Sequence, residues 1–88
     1  SVMIQKIKAP ISVIFTYKHK QNKAYPAVLY WEGRKFNIKN VDLHHSYKKG
    51  NILYHVFSVS TKDHYFRLVF NTQNLFWTLE EISDGIPD

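Results

Sequence analysis

Five histidines (His19, His44, His45, His55 and His64), seven carboxylates and no cysteine are the side chains with chemistry to offer in this 88-residue chain. Lack of cysteine removes disulfides, thiolate metal sites and cysteine nucleophiles. Imidazoles remain as metal ligands, but their spacing disfavours one shared centre. His44 and His45 are neighbours on an extended segment and point to opposite faces. His55 and His64 belong at opposite ends of a hairpin, roughly 30 Å apart along an extended chain. Only His45 and His55 should share a face on adjacent strands, and two ligands do not make a structural zinc site, so no metal and no cofactor is expected. Glu80 and Glu81, adjacent on a strand, should face apart and so fail as a paired acid and base. Gly-rich phosphate loops, Gly-x-Ser-x-Gly and His-Glu-x-x-His are missing. The expectation is a protein that is not an enzyme.

Charge and aromatic content point to binding. Twelve Lys and Arg oppose seven acids, for a formal charge of +5, and 16% of the residues are aromatic. Residues 1–50 hold ten of those cations against only Glu32 and Asp42, while most of the acids follow the last apolar run. Such asymmetry is the electrostatic footprint of a nucleic-acid or anionic-surface binder. Strand alternation sets Tyr54, Tyr65 and Phe76 beside Arg67 on one face, as stacking surfaces. Arg34, Lys35, Lys39 and Arg67 are the expected phosphate contacts. Small β-barrels bind single-stranded DNA or RNA in this way, weakly and with little sequence preference. Two purely structural roles compete with binding. Lysines at turns and edges prevent aggregation, and Tyr and Phe suit strands whatever their function.

The elements that would position these residues are strands. Period-two alternation recurs through nearly the whole chain, and no segment keeps apolar residues at helical spacing for three turns. Candidate strands are Ile11–Lys18, Ala27–Trp31, Arg34–His45, Ile52–Thr61, His64–Phe70 and Leu75–Ile82, with Ile4–Lys8 as a short addition. A two-residue turn at Lys62 and Asp63 sets Val59, Phe57 and His55 opposite Phe66, Leu68 and Phe70. A turn at Thr72 and Gln73 would set Phe70, Leu68 and Phe66 opposite Leu75, Trp77 and Leu79. A three-residue turn at Lys48–Gly50 would place Val41 opposite Phe57 and Leu43 opposite His55. A turn at Glu32 and Gly33 pairs Leu29 with Phe36 and Ala27 with Ile38. Phe36 and Ile38 are even-numbered whereas Val41 and Leu43 are odd, so a β-bulge is expected near Lys39 and Asn40.

The expected fold is all-β: a single, strongly twisted antiparallel meander of five to six strands curling into a small barrel or half-barrel. One domain spans residues 1–88, with 1–10 and 83–88 as peripheral tails. The expected core is Val13, Phe15, Leu29, Phe36, Ile38, Val41, Leu43, Phe57, Val59, Phe66, Leu68, Phe70, Leu75, Trp77 and Leu79. Ile11–Lys18 and Leu75–Ile82 are the expected open edges, which would allow a homodimer or a docked protein strand. That interaction module is the alternative function. No apolar run is long enough to span a membrane, and the N-terminus lacks the hydrophobic core of a signal peptide, so a cytoplasmic location is expected.

The hairpin Tyr30-Trp31-Glu32-Gly33-Arg34-Lys35-Phe36-Asn37-Ile38, followed by Phe66-Arg67-Leu68 and Trp77-Thr78-Leu79, resembles small uncharacterised bacterial β-domains. These are built on a Trp-x-Gly-Arg-x-aromatic-x-aliphatic hairpin and a late Trp-x-Leu strand. The resemblance covers about residues 27–82. It implies a bacterial, cytoplasmic, non-catalytic module in which Gly33 holds a tight turn and Trp31 and Trp77 anchor the core.

Overall fold

A computed structural model describes residues 4–84. Eight strands follow in order: β1 (Ile4–Pro10), β2 (Ser12–Lys18), β3 (Lys23–Trp31), β4 (Arg34–Asn37), β5 (Asn40–Lys49), β6 (Ile52–Ser60), β7 (Tyr65–Asn71) and β8 (Trp77–Ser83). One 3-10 turn, His19–Gln21, is the only helical element among the described residues. The chain is all-β and every pairing is antiparallel, as the alternation requires. It forms two sheets rather than one meander, with orders β1-β8-β7-β6-β5 and β2-β3-β4.

Two corners join the sheets. Only Ile11 separates β1 from β2, and its N–H donates to the Trp77 carbonyl at 3.3 Å. Ile38 and Lys39 separate β4 from β5, and their bonds diverge. The Ile38 N–H donates to Ala27 in the three-stranded sheet at 3.0 Å, whereas the Lys39 N–H donates to Ser60 in the five-stranded sheet at 2.8 Å. The parity slip after Ile38 is thus a change of sheet and not a bulge in one strand. A true bulge lies slightly further on, where Val41 pairs with Val59 but Leu43 pairs with Ser58, leaving Asp42 as the extra residue.

The core fills the space between the sheets. Leu29 and Phe36 meet Phe57, Val59, Phe66, Leu68 and Leu79, and Trp31, Ile38, Val41 and Trp77 pack at its margin. Leu29, Leu68 and Leu79 are fully buried, and removing each from water contributes roughly 1.5–3 kcal/mol. Phe15, Leu43 and Leu75, all expected inside, are 45%, 55% and 67% exposed. Val56 and Val69, on the opposite face, are buried instead as a row across β6 and β7.

Two hairpin registers stand as expected: Leu29 opposite Phe36, and Val59, Phe57 and His55 opposite Phe66, Leu68 and Phe70. Gly33 takes φ +72 in the first of these turns, a backbone that side chains resist. The other two registers differ. Lys49 pairs with Ile52, so the β5–β6 turn is Gly50 and Asn51. Phe70 pairs with Trp77, Leu68 with Leu79 and Phe66 with Ile82. The β7–β8 connection is a five-residue loop because Asn71 Oδ1 accepts from the N–H groups of Gln73 and Asn74, and Asn74 Oδ1 from that of Phe76. The segment 4–10, expected as a peripheral tail with a short strand at Ile4–Lys8, is a full strand of the sheet. Its pairing with β8 covers the edge that Leu75–Ile82 was expected to leave open. The open edges are β1 and β5 on one sheet and β2 and β4 on the other.

Candidate nucleic-acid interface

Three of the expected phosphate contacts come together. Arg34, Lys35 and Lys39 line a cleft of about 320 Å³ with Lys62, Asp63 and His64. One wall is β4 and the other is the β6–β7 turn, so the cleft lies where the sheets meet. Phe36 is its apolar base. The Arg34 guanidinium sits 4.8 Å from the Phe36 ring centroid, and Phe66 meets that ring edge-on at 4.9 Å. Cation stacking of this kind fixes a guanidinium without neutralising it.

Lys39 also lines a second cleft, of about 550 Å³, with Lys23, Tyr25, Asn40, His44 and Phe57. The two clefts share Lys39 as a lining residue, and the basic seam that they mark is lined by Arg34, Lys35, Lys62, Lys39 and Lys23. No described carboxylate lies within ion-pair distance of these five cations. Sequence reasoning missed Lys23 and Lys62, which look like ordinary turn and loop lysines. Only the return of the β2–β3 and β6–β7 connections to the β4–β5 corner gives them a common site.

The remaining expected contacts lie elsewhere. Tyr54 stands opposite Tyr47 on the outer face of the five-stranded sheet, and their rings stack at 5.1 Å. Tyr65 and Arg67 line a separate hollow of about 170 Å³. Phe76 sits 68% exposed in the β7–β8 loop. Arg67 is held by two carboxylates, with Nε 3.2 Å from Glu80 and an Nη 3.5 Å from Glu81. The expectation that Glu80 and Glu81 face apart fails for a local reason. Arg67 pairs with Glu81 and Leu68 with Leu79, so Glu80 is the extra residue of a bulge and both carboxylates reach the same guanidinium.

The histidines also rearrange. The bulge at Asp42 shifts the alternation of β5, so His44 rather than His45 comes to the side of His55. His44 Nε2 and His55 Nδ1 are 2.9 Å apart, and the His44 ring lies flat on Phe57, 4.3 Å away and parallel within 1°. Partial burial, then the neighbouring His55 and His45, hold the His44 pKa below its ordinary value. Among the described residues no three His, Asp or Glu side chains converge as a metal site. No helix among them is long and apolar enough to cross a membrane.

The chain matches no protein-family model, and neither curated proteins nor solved structures yield a match. The geometry of the seam is what bears on function.

Proposed function

We propose that this protein is a non-catalytic, cofactor-free module that binds single-stranded DNA or RNA weakly and without sequence preference, along the basic seam between its two sheets. The observation that carries this is Lys39, which links two clefts lined by five cations from four separate chain segments. Phosphates spaced along a strand meet such a row, and cations that contact phosphates fix position without reading sequence. The two continuous corners support a finer description of the sheets as a small barrel-like shell, whose open flank is the seam. A cytoplasmic location suits such a partner.

Fluorescence anisotropy with labelled oligo-dT and oligo-U, across a salt series, tests the proposal. Each phosphate contact contributes about −0.7 to the log-log salt slope on single strands, so full use of the seam gives a slope of up to about −3.5. Absence of binding at low salt with excess protein would refute it. A second function, docking of a protein strand or of another copy, is favoured by one observation. Strand β5 is an open edge ten residues long, and all of it except Val41 is exposed. A mass above 10.5 kDa in light scattering would support self-association.

A further inference from the structure

We infer that the larger cleft of the seam is a one-nucleotide subsite, in which a base stacks on His44 and its phosphate lies between Lys23 and Lys39. This rests on the proposed nucleic-acid function and deepens it. One face of the His44 imidazole lies flat on Phe57, which is only 4% exposed, while His44 itself is exposed. The face turned away from Phe57 is therefore open. Contact between His44 Nε2 and His55 Nδ1, at 2.9 Å, holds the ring in its plane. Stacking below and a hydrogen bond at the edge together preorganise a flat aromatic platform, which lowers the ordering cost of binding. Lys23 and Lys39 line the same cleft and come from different segments, β3 and the β4–β5 corner. Tyr25 and Asn40 add polar groups beside them. A volume of about 550 Å³ falls within the roughly 300–1,000 Å³ usual for small-ligand pockets. A bare anion would use the lysines and leave the platform empty. A nucleotide uses both.

The test is an NMR titration of the whole chain with uridine 5′-monophosphate, uridine and inorganic phosphate, following the imidazole signals of His44 and His55 and the backbone of Lys23 and Lys39. The monophosphate should bind about tenfold more tightly than phosphate and move both sets of signals. His44→Ala should reduce its affinity to that of phosphate, and His44→Phe should restore it. Lys23→Ala should weaken the monophosphate and phosphate alike. Equal affinity for monophosphate and phosphate, or indifference to His44→Ala in a folded variant, overturns the subsite. A parallel titration with a twelve-residue oligo-dT separates the two claims. Oligonucleotide binding without a monophosphate response leaves the strand-binding function standing and removes the subsite. Failure of both removes both.

Discussion

The seam and the outer face of the five-stranded sheet are made of the same residue types, and they differ in what those residues are free to do. On the outer face Arg67 lies between Glu80 and Glu81, and Tyr54 already stacks on Tyr47. In the seam Arg34 rests on an uncharged ring, and the four lysines have no described carboxylate partner. A cation next to carboxylates must exchange one ion pair for another to take a phosphate, so its net gain is small. A cation without a partner gives up only water. Composition alone cannot rank two such surfaces.

The strongest way to break this contrast is to remove its shared support. Phe57 lies in the core and under His44 at once, and Phe57→Ala should cost about 3–5 kcal/mol in urea unfolding. Tyr54→Ala, on the outer face, should cost well under half as much. Comparable losses would mean that the outer face is as much a core as the interior.

A smaller effect separates the cations by function. The double change Arg34→Ala and Lys39→Ala should reduce the magnitude of the oligo-dT salt slope by about 1.4. Arg67→Ala should leave the slope unchanged. The reverse pattern would move the binding surface to the outer face.

Releasing Arg67 sharpens the same point. Glu80→Gln with Glu81→Gln removes two partly exposed ion pairs, each worth about 0–1 kcal/mol or less, so unfolding midpoints should hardly move. The oligo-dT slope should change by less than about 0.7, because Arg67 lies on the outer face and not among the cations of the seam. A slope steeper by that amount would show that the strand also crosses the outer face.

The smallest effect is a pH dependence confined to the seam. The His44 pKa is lowered in the folded protein, so the unfolded chain takes up its proton first as pH falls. The stability associated with neutral His44 is present above the ordinary histidine value and declines as pH drops through the lowered folded one. His44→Gln should flatten the fall in unfolding free energy between about pH 7 and pH 5. An unaltered pH profile would show that the imidazole pair does not couple to folding.

Much of the candidate site was legible one residue at a time but not as a set. Arg34, Lys35 and Lys39 lie close in sequence, so a single corner delivers them together. Tyr54, Tyr65 and Arg67 share one face of β6 and β7, as alternation requires. What sequence reasoning lacked was the neighbour that occupies two of them, Tyr47 against Tyr54 and the bulged Glu80 against Arg67.

The sequence alone determined that the chain is all-β and antiparallel, and which way the side chains of β3, β4, β6 and β7 face. Period-two alternation and tight turns are local signals, and a two-residue turn sets the register of its hairpin without help from the rest of the molecule. Only the tertiary structure decided that β4 and β5 belong to different sheets, that Asp42 and Glu80 are bulged, and that Lys23 and Lys62 join Lys39. A bulge is one backbone step with no fixed side-chain signature, yet it exchanges the faces of every residue beyond it. His44 therefore faces Phe57, and Glu80 reaches Arg67, for a reason that lies in the packing of the two sheets rather than in either residue's own neighbourhood.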